Sequence, residues 1–259
     1  MNVRTTTILL FVAISTVAAV LFTSGQFALA GGEASKKHDI PLKEAKLIIE
    51  HNAKDHDTGF QGFIDSEGWK WITVTGPNGK VLRFQGDGTL GKLGLTELFF
   101  ESVEPENADV PIADLLKTMP EGKYVFSGST IENGASKGTT IGVAVLTHVI
   151  PEGPVLLTPV EDAVVPVDDL FVSWSPVDKT IEGADVNIIA YQLIIEKVEP
   201  PHPNMIGKMG LGMYLPASVT QITIPKEILE PGTNYAWEVL AIEESGNQSL
   251  TSGKFSTSD

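Results

Sequence analysis

The chain of 259 residues contains no cysteine. This absence excludes disulfide bonds, thiolate metal sites, cysteine nucleophiles and a lipid-modified cysteine at a processed N-terminus. Each folded unit must therefore be stabilised by its own hydrophobic core.

Basic residues are also scarce, with 18 Lys and Arg against 33 Asp and Glu and a formal net charge of −15. Such a charge repels nucleic acids and anionic lipid surfaces, so we predict no nucleic-acid partner and no membrane-surface role. The same charge favours cation binding, or it serves solubility alone.

Only one long apolar run is present, and it lies within residues 1–30. Arg4 precedes the run and Ala28-Leu29-Ala30 follows it, which is the layout of a cleavable signal peptide. We predict cleavage after Ala30, with an uncleaved anchor as the alternative. The predicted mature protein is then secreted or periplasmic, is not inserted in a membrane, and begins with a flexible leader at residues 31–39.

The remaining residues predict an all-β protein with two β-sandwich domains in tandem, at residues 40–150 and 151–259. In the first domain, period-two alternation of apolar residues predicts strands, and Asn-Gly pairs predict hairpin turns. The predicted strands are residues 47–50, 69–75, 80–84, 97–102, 124–131 and 139–146. Residues 109–117 predict one short helix, because a proline near the start precedes apolar residues at helical spacing. A Pro- and Gly-rich segment at 150–154 predicts the boundary.

The second domain has the motifs of one family. Trp174 lies in a β-rich segment before a proline, Tyr191 precedes an alternating strand, and Leu229 is followed by Pro231-Gly232-Thr233 and Tyr235. Together these features resemble fibronectin type III domains over about 108 residues, from near Gly153 onward. The resemblance implies a sandwich in which Tyr235 points inward and its hydroxyl binds nearby backbone. It also implies binding, spacing or support rather than catalysis.

The mid-domain connection at 199–216 is longer and more apolar than the family pattern. It carries Met205, Met209, Met213 and Tyr214, which we predict as a contact surface for a protein partner or a surface polymer. The alternative is that these residues cover the open edge of the sandwich.

An acidic stretch follows the first predicted strand. Asp55 and Asp57 precede a glycine, so their carboxylates could turn toward one hard cation such as calcium, with Asp65 as a further ligand. The stretch is faintly similar to the acidic loop of cadherin repeats, and the alternative is a solvated turn. We predict no other cofactor.

The sequence has no catalytic signature, and we therefore predict no enzyme. Trp69 and Trp71 share parity in one predicted strand, where they form either core or a sugar-stacking platform. The favoured function is an exported, non-catalytic binding or structural protein. The two alternatives are an extracytoplasmic enzyme or carbohydrate-binding accessory acting on polysaccharide, and a calcium-binding surface protein.

Overall fold

A computed structural model describes residues 39–133 and 135–259. The predicted signal peptide at residues 1–30 and the predicted leader, up to residue 38, lie outside these residues. Among the helices of the described part, none has the length and apolar character needed to cross a bilayer.

The N-terminal half contains strands of very different lengths. Within residues 39–133 and 135–146 they are β1 (Asp39–Pro41), β2 (Glu44–Asn52), β3 (Asp57–Gly76), β4 (Gly79–Gln85), β5 (Leu95–Glu101), β6 (Gly122–Glu132) and β7 (Ala135–Leu146). The helices of this half are α1 (Gly88–Leu93) and α2 (Ile112–Thr118).

The 20-residue strand β3 organises this half. Its first part pairs with β2 and β5, and its second part pairs with β4 and β6. Strand β6 then pairs with β7, and β7 with β1. Because β3 pairs with β2 and β5 as well as with β4 and β6, the sheet wraps around a single core. This core includes Ile49, Trp69, Ile72 and Phe126.

Local predictions for this half agree with the strands. The hairpin of β3 and β4 turns at Pro77-Asn78, and Gly79 takes the positive φ of 107°. The hairpin of β6 and β7 and helix α2 lie where the sequence predicts them. The sequence did not predict α1, because its residues include two glycines that weaken the helical pattern.

The prediction that Trp69 and Trp71 lie on the same face of one strand was wrong. A register shift between them in the pairing of β3 with β6 moves the strand from one face to the other. Trp69 is fully buried in the core, whereas the half-buried ring of Trp71 lies 4.4 Å from the guanidinium carbon of Arg83. The two rings therefore do not form one stacking platform.

The C-terminal half has shorter strands, in two sheets. Its strands are β8 (Leu156–Thr158), β9 (Ala163–Val165), β10 (Phe171–Trp174), β11 (Ile188–Lys197), β12 (Gly210–Pro216), β13 (Gln221–Thr223), β14 (Asn234–Glu243) and β15 (Gln248–Thr257), with a 3₁₀ turn at Lys226–Ile228. One sheet has the order β13-β10-β8, and the other contains β15-β14-β11-β12. This arrangement is that of a fibronectin type III-like sandwich, as the sequence motifs predicted.

The residues that point into the core of the sandwich include those that carry the resemblance to fibronectin type III domains. Tyr235 and Trp237 are fully buried, and Trp174 meets Tyr191 edge-on at 5.5 Å between ring centroids. The hydroxyl of Tyr235 accepts a hydrogen bond from the amide of Glu230 at 2.8 Å. The tyrosine thus closes the corner before β14.

The two halves share one sheet. Residues 248–250 of β15 pair in parallel with residues 50–52 of β2, which joins the larger C-terminal sheet to the N-terminal strands. The buried side chain of Asn247 accepts a hydrogen bond from Ile49 N at 2.8 Å and donates to the carbonyls of Val149 at 2.8 Å and Thr147 at 3.0 Å. One asparagine therefore fastens the start of β15 to both β2 and the segment after β7.

Candidate functional site

The predicted acidic loop forms the turn between β2 and β3. Asp55 is exposed and accepts a hydrogen bond from the Asn52 side chain at 3.1 Å. Asp57 is the first residue of β3, and its Oδ1 atom is buried without a hydrogen-bond partner among residues 39–133 and 135–259. Desolvation, followed by the charges of Asp55 and Glu106, raises the pKa of Asp57.

Asp65 lies apart from the other two aspartates. It pairs with Glu44 on β2 and Glu97 on β5, eight residues along β3 from Asp57. At the rise of an extended strand, this separation is roughly 26 Å along the chain. The structure therefore brings Asp55 and Asp57 together but does not bring Asp65 to them.

The predicted apolar contact residues divide between a loop and a strand. Met205 and Met209 precede β12 and are 42% and 52% exposed, whereas Met213 and Tyr214 lie within β12. Met213 packs against the core, and Tyr214, on the opposite face, is 61% exposed. Three of the four residues are thus available for contact, and Met213 is part of the sandwich.

A row of polar side chains crosses the outer face of the shared sheet, opposite the cores. The cross-strand register places Gln61 of β3 beside Glu101 of β5, and Glu50 of β2 beside Gln248 of β15. Since directly opposed residues of neighbouring strands point to the same face, these side chains form one continuous row. The core residues Ile49 and Phe60 point the other way.

Glycine makes space for another carboxylate in this row. Gly59 lies opposite Glu50, and a Cβ atom at Gly59 would be 2.6 Å from the Cγ of Glu104. The Glu104 side chain therefore occupies the place that a side chain at position 59 would fill. One carboxylate oxygen from each of Glu50, Glu101 and Glu104 lies within 4.8 Å of the other two. We call these three residues the carboxylate triad.

Amide side chains donate hydrogen bonds to two of the three carboxylates of the triad. The side-chain amide nitrogen of Gln248 donates to Glu50 and, at 3.3 Å, to the side-chain oxygen of Gln61. The side-chain nitrogen of Gln61 in turn donates to Glu101 at 3.0 Å. In the part of the chain that the structure describes, the buried Oε1 atom of Glu104 has no hydrogen-bond partner. The same holds there for the buried Oδ1 atom of Asn107, three residues further along.

Burial makes the charged forms of Glu50 and Glu104 costly. Desolvation raises the pKa of Glu50 to about 7, opposed by the Gln248 hydrogen bond and assisted by the charge of Glu101. Desolvation and the charges of Glu50, Glu101 and Asp57 raise the pKa of Glu104 to about 8. Two of the three carboxylates of the triad, Glu50 and Glu104, would therefore carry poorly solvated negative charges.

The acidic row continues onto the C-terminal half. Desolvation and the charge of Glu196 raise the pKa of Glu238 on β14 to about 7. Buried Glu196 on β11 has the Nζ of Lys208 at 3.9 Å. Desolvation and the charge of Glu50 raise the pKa of Tyr214. The site thus spans the junction between the two halves.

The sequence predictions did not include the triad. Glu50 ends an apolar run and Glu101 follows Phe99-Phe100, so each stands out as a carboxylate beside core residues. Their convergence depends on the pairing of β2, β3 and β5 and on the space above Gly59, which one-dimensional patterns do not contain. Of the residues predicted to bind a metal, Asp57 has a charge that raises the pKa of Glu104.

Neither the protein-family models nor the curated proteins give a match to this chain. Among solved structures, the chain is similar to the FN1-FN3 domains of chicken CNTN1, with 10% identity, a TM-score of 0.33, and coverage of 84% of this chain and 68% of that one. A two-domain fibronectin type III segment of chicken tenascin has 12% identity, a TM-score of 0.28 and coverages of 83% and 96%. The BSP domain of a biofilm associated protein has 13% identity, a TM-score of 0.24 and coverages of 84% and 30%. The fibronectin type III-like description of the C-terminal half rests on its own strand order and on the Tyr235 corner.

Proposed function

We propose that this protein is an exported, non-catalytic binding or structural protein, in which a fibronectin type III-like unit and an N-terminal β unit act as one rigid piece. The observation that carries the proposal is the parallel pairing of β15 with β2, which extends one sheet across both halves. A continuous hydrogen-bonded sheet transmits force and fixes the spacing of surfaces at its two ends.

The contact surface of this proposal lies at the edge of that sheet. Within the described part of the chain, strand β12 ends the strand order and pairs with β11 on one side only. Exposed Met205, Ile206 and Met209 precede it, and exposed Tyr214 lies on it. An open edge next to flexible apolar side chains suits a protein partner or a surface polymer.

The polysaccharide-directed alternative has less support. Its aromatic platform needed Trp69 and Trp71 on one exposed face, whereas Trp69 is buried and Trp71 contacts Arg83.

The contact surface can be tested by measuring how the chain binds to the surface fraction of the cells that produce it. We expect the combined variant Met205→Ser, Ile206→Ser, Met209→Ser to bind about tenfold more weakly, because the apolar contacts are lost. The matched control replaces three exposed valines elsewhere, as Val103→Ser, Val155→Ser, Val160→Ser. Equal binding by wild type and both variants would exclude this surface.

Export has its own test. We expect the protein recovered outside the cytoplasm to begin at Gly31, as N-terminal sequencing would establish. An intact protein that starts at Met1 and remains in the cytoplasm would contradict export.

A further inference from the structure

The carboxylate triad has the dimensions of an ion site. Calcium binds oxygen ligands at about 2.3–2.6 Å, so two ligands of one ion can be up to about 5 Å apart. One carboxylate oxygen from each of Glu50, Glu101 and Glu104 lies within 4.8 Å of the other two, so all three oxygens are within reach of one central ion. The site is built from β2, β5 and the segment that follows β5.

A second observation is independent of this clustering. The Oε1 atom of Glu104 is buried, and no donor among the described residues forms a hydrogen bond with it. A buried acceptor without a partner costs about 1–3 kcal/mol, and more when it is charged. The side chain is nevertheless held in this position above Gly59, where it points into the triad.

Further unsatisfied oxygens lie close by along the chain. The Oδ1 atoms of Asp57 and Asn107 are also buried, and neither has a hydrogen-bond partner among the residues that the structure describes. The amide of Asn107 donates to the carbonyl of His56 at 2.7 Å, so its backbone lies against the turn that contains Asp57. These groups are all oxygen acceptors, which is the ligand chemistry of a hard cation rather than of zinc or copper.

We propose that Glu50, Glu101 and Glu104 bind one calcium ion at the junction of the two halves. Calcium fits better than magnesium, because the ligands come from three separate segments and calcium accepts irregular coordination, whereas magnesium requires near-ideal octahedral geometry. The site differs from the predicted set of Asp55, Asp57 and Asp65, and it is independent of whether β12 binds a partner.

The ion also has a structural role in this proposal. Gln248 of β15 donates a hydrogen bond to Glu50, so it holds one ligand from the second half of the chain. Neutralising the triad removes the repulsion among carboxylates of β2, β5 and the following segment. Calcium therefore stabilises the same junction that the β2–β15 pairing forms.

The test uses the purified chain after treatment with chelator, titrated with CaCl₂ in a calorimeter and melted with and without CaCl₂. We expect one ion per chain, and a rise in the melting midpoint of about 5–10 °C at about 100 times the dissociation constant. MgCl₂ at the same concentration should give a smaller rise. A larger rise in MgCl₂ would overturn the assignment to calcium.

Variants separate the triad from the predicted loop. Glu104→Gln should weaken calcium binding at least about tenfold, because it removes one charged ligand from the site. In chelator this variant should melt at or above the wild-type midpoint, since an unpaired buried carboxylate is gone, and this result confirms that it folds. The control Asp65→Asn should bind calcium as the wild type does.

Three results would overturn the proposal. The first is the absence of calorimetric binding up to about 10 mM CaCl₂, which exceeds the range of weak extracellular sites. The second is wild-type affinity in a folded Glu104→Gln variant. The third is loss of binding in Asp65→Asn.

Discussion

Asn247 fastens β15 to the N-terminal half, and Asn247→Ala tests that role. The asparagine is 1% exposed, and its side chain pairs with Ile49 N, Val149 O and Thr147 O. Alanine would leave these three backbone groups unpaired at a buried junction. Asn247 also follows Gly246, whose φ is 98°, so the turn into β15 would remain intact.

The cost follows from the groups left without partners. A buried unsatisfied backbone group costs about 1–3 kcal/mol, and carbonyls tolerate the loss better than amides because they have two lone pairs. We expect a total loss of about 2–4 kcal/mol. For a chain of this size, the melting midpoint should fall by about 4–16 °C.

The measurement is a thermal melt followed by circular dichroism, with a urea titration to obtain the free energy of unfolding. The control is Asn187→Ala, because Asn187 is exposed and donates a side-chain hydrogen bond of 3.3 Å to Glu244, which is also exposed to solvent competition. The control should change the free energy by less than about 0.5 kcal/mol. If Asn247→Ala matched this small effect, Asn247 would not fasten the two halves.

Three further predictions concern stability. In chelator, the protein should be more stable at pH 5 than at pH 8. The reason is that the pKa of Glu50 is about 7 in the folded state and about 4.5 in the unfolded state, so the folded state binds the proton more tightly. As the pH rises from about 4.5 to about 7, this contribution to the free energy of unfolding, up to about 3 kcal/mol, is lost. Glu50→Gln should flatten this dependence in urea titrations, and an unchanged slope would contradict the assignment. Tyr235→Phe should cost about 1–2 kcal/mol, because the amide of Glu230 loses its acceptor; an unchanged unfolding midpoint would refute a structural role for the hydroxyl. Trp69→Ala should cost about 3–5 kcal/mol and Trp71→Ala clearly less, since the ring of Trp69 is in the core and that of Trp71 is only half-buried; equal losses in thermal melts would mean that the two rings share one environment.

Local chemistry made much of the fold predictable. The strand pattern around residues 69–84 depends on neighbouring residues, and so does the Pro231-Gly232 corner before Tyr235. The reversal of parity between Trp69 and Trp71 was not predictable, because a register shift is set by the partner strand β6. Helix α1 was also missed, since a short Gly-containing helix forms through tertiary contacts rather than propensity.

The candidate site depended still more on long-range pairing. Asp55 and Asp57 could be recognised because they are close in sequence, and the same reasoning placed Asp65 with them although extended backbone separates it. Glu50 and Glu101 are 51 positions apart in the sequence and meet only because β3 pairs with both of their strands. Register decides which carboxylates converge, and register is a property of the whole sheet.

The parallel pairing of β2 with β15 also determines how the chain can be divided. A cut in the proline- and glycine-rich segment at 150–154 would separate the two cores, but it would uncover the edge of β2 at residues 50–52 and that of β15 at residues 248–250. Uncovered strand edges pair readily with other strands. Either fragment produced alone would therefore expose a surface for self-association, and mixing the two fragments should restore a monomeric complex.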